Sequence, residues 1–200
     1  MAASGNEIQV LCVCTHNRTR SVMMEAFLDR HLDVAEVPHR LVSAGLHGNG
    51  GRATHGALEQ LGLRGYDASD HLSRLITASD VETSDLIITA EALHVAEISG
   101  VWHDAFERAF TLPELIARSN GLRTEGSLAD WLRAINEGRP TALDYLDSDV
   151  GEIADPTGAG PSQWRASART IDELTAQLAT SLAGLDLGLD RRPGRASGHT

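Results

Sequence analysis

Cys14 and Arg20 are separated by five residues in the segment VCTHNRTRSV, and Ser21 follows directly. A cysteine thiolate is a strong nucleophile, and a guanidinium group can grip two oxygens of a phosphoryl group at once. The Ser21 hydroxyl can donate a hydrogen bond to such a thiolate. These residue types at this spacing are typical of a site in which a cysteine attacks a tetrahedral oxyanion.

A strand, a turn and a helix are the elements that would position these residues. Ile8–Cys14 is an almost unbroken apolar run, which predicts a buried strand of a parallel sheet. From Ser21 the apolar residues recur three and four apart, which predicts a helix ending near His31. The turn can aim backbone N–H groups into one cavity, and the helix N-terminus favours thiolate over thiol. Asn17 tolerates positive φ and can lock the turn through its side-chain amide.

Strands and helices alternate along the rest of the chain. Further strands are predicted at 40–44, 85–90 and within 106–112, and further helices at 53–61, 91–98, from Pro113, at 127–136 and along the stripe from Trp164 to Leu182. This alternation predicts a doubly wound α/β sheet with right-handed crossovers. Ligands of such sheets bind beyond the carboxyl ends of the strands, and Cys14 stands at the first such end.

Composition excludes several classes of function. The 200 residues carry 17 basic and 28 acidic side chains, a net charge of −11, and every basic residue is arginine. The lack of lysine excludes Schiff-base and pyridoxal phosphate chemistry and the Walker-A loop. The acidic balance without a basic block argues against nucleic acid or an anionic membrane surface as partner. No secretory signal and no run of about 18 apolar residues is present, so no membrane helix is expected.

The two cysteines, Cys12 and Cys14, indicate the compartment and bear on a metal alternative. In a strand both would point to one face, and a disulfide across one residue would be badly strained. Two free thiols predict a cytoplasmic protein. Cys12, Cys14 and His16 alternate like metal ligands, but the spacing is too tight for a zinc knuckle and no second ligand pair exists. We therefore expect neither a metal nor a cofactor.

Phosphoryl transfer to a thiolate also needs an acid for the leaving oxygen. Asp155, in the segment IADPTG, is the candidate, because it lies on a predicted loop before the last helix. Pro156 would restrict its backbone. The alternative for this segment is an ordinary Asp-Pro turn.

The segment VLCVCTHNRTRSVMMEAF closely resembles the opening of the low-molecular-weight protein tyrosine phosphatases. Further segments match that family in order, and the resemblance extends from about residue 8 to 182: Ser43-Ala44-Gly45, SDHLSRLI with His71, DLIITAEALHVAEI, Asp155-Pro156, and Trp164 near the start of the final helix. The combination of motifs is specific, although any single one is not.

The resemblance implies one domain over residues 1–183, with a four-stranded parallel sheet and helices on both faces. The composition of residues 184–200 predicts a flexible tail. It implies metal-free catalysis in which Cys14 attacks phosphorus and forms a cysteinyl-phosphate, while Asp155 protonates the leaving oxygen and then activates water. The phosphoryl oxygens would be held by the loop that follows the nucleophile: Thr15, His16, Asn17, Arg18, Thr19, Arg20 and Ser21. Asn17, Ser43 and His71 would support this loop. The alternatives are strand-end capping for Ser43 and a partly exposed loop histidine for His71.

Departures from the family pattern leave other functions open. His16 and Thr19 replace the usual glycine and cysteine, and His16-Asn17 resembles the related arsenate reductases. No cysteine follows Cys14, so only reduction by a low-molecular-weight thiol would remain possible. A third alternative is a non-catalytic regulatory module that binds oxyanions, which would be indicated by loss of Cys14, Arg20 or Asp155; all three are present.

The substrate is the least determined feature. Phosphotyrosine or a related phosphomonoester, in a protein or a small molecule, is expected. The residue after Asp-Pro is Thr157 rather than an aromatic, which weakens the case for tyrosine, although Trp164, Trp131 or His47 could supply a wall. The additional segment over residues 119–150 is expected to decorate the surface, and the alternative is an extra helix near the cleft. The sequence does not indicate the oligomeric state.

Overall fold

A four-stranded parallel sheet forms the centre of the computed structural model, which describes residues 7–48, 50–122 and 125–187. The strands are β1 (Ile8–Cys14), β2 (His39–Gly45), β3 (Leu86–Thr89) and β4 (Ala109–Thr111), in the spatial order β2-β1-β3-β4. The chain moves from β1 to one side and then to the other, so the topological switch point lies between β1 and β3. The doubly wound α/β architecture is confirmed, and Cys14 ends the strand at the switch point.

Helices cover both faces of the sheet. They are α1 (Arg20–Val34), α2 (His55–Gly62), α3 (Ala78–Thr83), α4 (Ala92–Val101), α5 (Leu112–Ser119), α6 (Leu128–Asn136) and α7 (Pro161–Ala183), with short 3-10 helices at His103–Arg108 and Tyr145–Asp147. One core contains residues of α1, α2, α5, α6 and α7, and the other contains residues of α3, α4 and both 3-10 helices.

Burial on both faces explains why all residues of β1 except Gln9 are apolar. Val10, Cys12 and Cys14 belong to the core on the α1 side, whereas Leu11 and Val13 belong to the core on the α4 side. A strand covered on both faces has few positions at which a polar side chain reaches water, and in β1 the only polar residue is the partly exposed Gln9. The expectation that Cys12 and Cys14 share a face is therefore confirmed.

Most predicted elements are present with shifted ends. Helix α1 is one turn longer than predicted, and Ser127 caps α6 by accepting from the Asp130 N–H at 3.1 Å. Helix α3 was not predicted. It has only six residues and is specified by a capping box between Thr77 and Asp80 rather than by an apolar stripe.

The segment over residues 119–150 is not a surface decoration, so that expectation is wrong. Trp131, Ile135 and Tyr145 are 3%, 1% and 0% exposed and belong to the two cores. The Arg139 guanidinium lies 4.1 Å from the ring centroids of both Phe106 and Phe110. Large apolar side chains in this segment can be removed from water only by joining the domain core.

The packed chain continues beyond α7. Leu185 is 8% exposed, and the Asp186 N–H donates to the Gly126 carbonyl at 2.8 Å. Residues 188–200, where most of the flexible tail is predicted, lie outside the described residues, so the tail stays a prediction. Among the helices of the described ranges, none is long and apolar enough to cross a membrane.

Candidate active site

The loop over residues 15–19 connects the end of β1 to the first turn of α1 and rests on the end of β2. Asn17 has a φ of 52°, in the left-handed region that asparagine tolerates better than most residues. A Cβ on Gly45 would lie 2.8 Å from the Asn17 nitrogen and from the His16 carbonyl carbon. The last residue of β2 must therefore be glycine for the loop to approach so closely.

Asn17 holds the loop through four hydrogen bonds. Its Oδ1 accepts from the Arg74 N–H at 3.1 Å, which fixes the orientation of the amide. Its Nδ2 then donates to Ser43 Oγ at 2.9 Å and to Ser21 Oγ at 3.0 Å. Its carbonyl accepts from His71 Nε2 at 2.7 Å. The structure thus brings Ser43 and His71, predicted to support the loop, into direct contact with Asn17.

The same network places a hydroxyl donor on the cysteine. Ser21 Oγ lies 3.1 Å from Cys14 Sγ, and both side chains are buried. Because Ser21 Oγ already accepts from Asn17, its own hydrogen is available for the sulfur, where it would stabilise a thiolate. Cys12 differs, because full burial, with Glu25 and Cys14 nearby, raises the pKa of its thiol well above the usual value. Cys12 is therefore an inert core residue.

The backbone amides of the loop are open donors. In the part of the chain that the structure describes, the N–H groups of residues 16–19 donate to no backbone or side-chain acceptor. Thr19 is the N-cap of α1, so the positive end of that helix adds to the same region. Converging amides at a helix N-terminus form a site for an oxyanion.

Arg20 is 2% exposed and is held along one side of its guanidinium group. Nη1 donates to Glu91 Oε1 and, at 2.9 Å, to the Ile153 carbonyl, which uses both of its hydrogens. Nη2 donates to Asp155 Oδ2 at 3.2 Å, and buried Nε has no partner among the described residues. The Nε–H and the second Nη2 hydrogen lie on one edge of the planar group. This edge suits bidentate binding of two oxygens.

Asp155 lies on the solvent side of the site, with 44% of its side chain accessible. Partial burial would raise the pKa of Asp155, but hydrogen bonds from Thr157 and the charges of Arg20 and His16 outweigh it and lower the pKa. Thr157 N–H donates to Oδ1 at 2.9 Å, the hydrogen bond of an Asx turn. The Asp-Pro turn, given above as the alternative for this segment, is therefore present. The same turn places the Asp155 carboxylate against Arg20.

Four supporting residues could not be assigned from the sequence. Glu91 pairs with Arg20, Glu25 accepts from the Ser43 hydroxyl, the Arg74 N–H orients Asn17, and His94 Nε2 lies 3.0 Å from Thr15 Oγ1. They lie on α1, before α3 and at the start of α4. For the α4 segment, the sequence predicted a helix and showed a resemblance to the family. No rule of residue spacing connects that segment to the loop.

Trp164, Trp131 and His47, the candidates for a wall beside the phosphate, lie in different surroundings. Trp131 is buried in the core, and the Trp164 ring packs on α2, where a Cβ on Gly56 would lie 2.5 Å from it. His47 is exposed, and its ring centroid lies 6.1 Å from that of His16. Arg18 donates from Nε to the Arg52 carbonyl at 2.7 Å. The described rim next to the loop thus includes His16, His47 and Arg18.

A cysteine at the end of a central parallel strand, followed by open amides and a buried arginine, is the arrangement of a cysteine-dependent phosphatase. The model of the family described as low molecular weight phosphotyrosine protein phosphatase matches residues 9–131, which is more than half of the chain. The chain belongs to this family and is a hydrolase. The match ends before Asp155, so that residue is supported by geometry and motif rather than by the family model.

Relatives and solved structures agree with this assignment. The protein-arginine-phosphatase of Bacillus subtilis (strain 168) is 29% identical over 115 residues, or 57% of this chain and 76% of that protein. A YwlE mutant from Bacillus subtilis superposes with a TM-score of 0.67 at 22% identity, covering 88% of this chain and 99% of that chain. The tyrosine phosphatase Wzb from Escherichia coli K30, solved with sulphate, gives 0.63 at 19% identity, with coverage of 87% and 97%. The structural likenesses show the fold, and together these relatives do not favour the arsenate reductase alternative.

Proposed function

We propose that this protein hydrolyses phosphorylated residues of proteins through a cysteinyl-phosphate on Cys14. The observation that carries the proposal is the Nε–H of the buried Arg20 guanidinium, six residues after Cys14, which is unpartnered among the described residues. Arg20 is buried and fixed by Glu91 and Ile153, yet its Nε–H has no partner in the described chain. Burying a cationic donor without an acceptor is unfavourable unless a ligand satisfies it.

In the first step, the Cys14 thiolate attacks phosphorus in line with the leaving group. The sulfur–phosphorus bond forms as the bond to the leaving atom breaks, and Asp155 gives its proton to that atom. The loop amides and the free edge of Arg20 hold the three other oxygens and stabilise their charge in the transition state. The Ser21 hydroxyl stabilises the thiolate before attack.

In the second step, Asp155 is a carboxylate and takes a proton from a water molecule that attacks the phosphocysteine. The sulfur–phosphorus bond breaks, inorganic phosphate leaves, and the thiolate is restored. In the free protein, Asp155 is bound to Arg20 Nη2. A phosphoryl oxygen bound to the second Nη2 hydrogen would share the charge of Arg20 with Asp155 and weaken the interaction that keeps the pKa of Asp155 low.

The substrate is proposed to be a phosphoprotein, because the relatives named above act on phosphorylated protein residues. The rim bears Arg18, and Thr157 follows Asp155-Pro156 where an aromatic would stack on a phenyl ring. Both features favour a polar environment next to the phosphate over a narrow aromatic slot. Two buried free cysteines fit a reducing cytoplasm, which we propose as the location.

The test is hydrolysis of para-nitrophenyl phosphate without metal, with wild type beside Cys14→Ser. We expect turnover by wild type that is unaffected by chelators and inhibited by vanadate, and no turnover by the variant. Cys12→Ser is the matched control, because that thiol is fully buried in the core, whereas Ser21 Oγ contacts Cys14. Activity that survives in Cys14→Ser, or its absence in folded wild type, would refute the proposal.

A further inference from the structure

Thr15 and His94 form a hydrogen bond beside the loop that the steps above do not use. Thr15 Oγ1 lies 3.0 Å from His94 Nε2, and His94 Nδ1 accepts from the Glu91 N–H at 3.1 Å. A neutral imidazole carries one hydrogen, so with Nδ1 accepting, Nε2 must be the donor. The Glu91 amide at the start of α4 thus selects the tautomer of His94.

This direction determines what the Thr15 hydroxyl can do. Because Oγ1 accepts from His94, its hydrogen must find another acceptor, and the described residues provide none. Thr15 directly follows Cys14 and is half-buried. Its hydroxyl is therefore a spare donor next to the nucleophile.

The imidazole stays neutral and lies close to the reacting groups. Its side chain is 2% exposed. Burial lowers the pKa of His94 to about 4, with Glu91 and Asp155 opposing this effect and Arg20 and His47 adding to it. His94 Nε2 also lies 3.6 Å from Glu91 Oε2, and Glu91 accepts from Arg20 Nη1, so the Thr15–His94 pair adjoins the arginine that would hold the phosphate.

We propose that Thr15 donates its hydroxyl hydrogen to a phosphoryl oxygen above Cys14, and that His94 is the positioning residue that directs it there. The hydrogen bonds run from the Glu91 amide to His94, from His94 to Thr15 and from Thr15 to the ligand. The inference rests on the proposed function. It adds one side-chain donor to the loop amides and Arg20, and hydrogen bonds to charged groups are stronger than those between neutral groups.

The first experiment measures binding of inorganic phosphate by calorimetry in the Cys14→Ser background, where turnover plays no part. Thr15→Val is expected to raise the Kd for phosphate about tenfold, because a donor to an anion is lost without a change in side-chain shape. Thr15→Ser keeps the hydroxyl and is expected to stay within about twofold of the background protein. Thr180→Val, an exposed position on α7, is the matched control. A Kd unchanged by Thr15→Val would overturn the proposal.

The second experiment separates positioning from simple structural support. In the active protein, Thr15→Val and His94→Phe are each expected to lower kcat/KM about tenfold and to weaken vanadate inhibition in parallel. Combined, they should cost little more than either alone, because both remove the same donor. If His94→Phe lowered kcat/KM by the same factor in the Thr15→Val background as in wild type, with the melting temperature unchanged, His94 would act in another way.

The outcomes distinguish the two proposals. If wild type hydrolyses no phosphomonoester but Thr15→Val still weakens phosphate binding, the proposed catalysis fails and the donor assignment stands. If wild type is active and Thr15→Val changes neither phosphate nor vanadate affinity, only the donor assignment fails. If the Cys14→Ser protein binds no phosphate, the donor assignment is overturned.

Discussion

Asp155 differs from the other proposed catalytic residues in that its contribution depends on the substrate. A good leaving group needs little protonation, whereas an alkoxide needs it strongly. Its carboxylate lies 3.2 Å from Arg20 Nη2 in the free protein, so it is beside the group that would hold the phosphate. This position makes the choice of substrate a direct probe of the acid.

We predict that Asp155→Asn lowers kcat about 10²- to 10³-fold for an alkyl phosphate and far less for an aryl phosphate with a good leaving group. The measurement is single-turnover kinetics over a series of leaving groups. Asp149→Asn is the matched control, since that side chain is exposed and its substitution removes the same charge. Equal losses for all leaving groups would contradict the role of Asp155 as acid.

A second prediction concerns His94 and the pH dependence of the free energy of unfolding. An unfolded histidine titrates near 6.5, whereas burial lowers the pKa of folded His94 to about 4. Between these values the unfolded chain binds the extra proton, so the free energy of unfolding falls as pH is lowered through this window. The loss is at most roughly 3 kcal/mol.

The check is urea unfolding at several pH values between about 7 and 4.5. His94→Phe should flatten the dependence on pH, because its side chain does not titrate. His103→Phe, at an exposed histidine, serves as the comparison. A slope as steep in His94→Phe as in wild type would mean that His94 contributes nothing to this effect.

Among the elements, the segment around α6 is held by a buried charged network. Glu114 is 3% exposed and accepts from Arg139 Nε at 2.9 Å, from Arg118 Nε at 3.2 Å and from the Tyr145 hydroxyl. Arg139 Nη2 also donates to the Ala109 carbonyl in β4 at 2.6 Å. The network therefore fastens the segment to the edge of the sheet.

Arg139→Met is predicted to lower the free energy of unfolding by about 3–5 kcal/mol, because it leaves a buried carboxylate short of partners. Arg133→Met removes an exposed arginine paired with Asp130 and should cost less than about 1 kcal/mol. Urea unfolding of both variants gives the comparison. An effect of Arg139→Met no larger than that of Arg133→Met would contradict this account of the segment.

The elements also show how much of the fold and of the candidate site could be predicted from the sequence. Strand β1 was predicted residue for residue, because a buried strand leaves an apolar run and few alternatives. Asn17, Ser43 and His71 were identified through motifs, and the structure brings them together. Glu91 and His94 were not, because their contacts with Arg20 and Thr15 cross more than 70 residues and follow from how α4 packs beside β1. No local pattern encodes such a contact.

The whole molecule is acidic, yet its described rim carries arginines that pair with no carboxylate. The net charge is −11, but neither Arg18 nor Arg52 has a carboxylate within 4 Å in the described ranges. Arg18 is anchored to the Arg52 carbonyl, and Arg52 Nη1 donates to the Ser69 carbonyl at 2.6 Å. The described rim therefore carries two positive charges that no contacting carboxylate neutralises, although the protein as a whole is acidic.

Phosphopeptides with aspartate next to the phosphorylated residue should be cleaved about fivefold more efficiently than those with lysine, and this ratio should shrink as salt screens the rim. Arg52→Gln should reduce the ratio, and Arg40→Gln, at an exposed arginine on β2, should not. The measurement is kcat/KM for both peptides at low and high salt. A ratio insensitive to salt and to Arg52 would contradict the assignment.

The most direct test of the central claim is to trap the covalent intermediate. Wild type and Asp155→Asn are mixed with an aryl phosphate, quenched with acid within milliseconds, digested and examined by mass spectrometry. We predict one phosphoryl group on the peptide containing Cys14, at higher occupancy in Asp155→Asn, because that variant cannot activate water. Hydrolysis that proceeds with no phosphoryl group on Cys14 at any time would contradict the account.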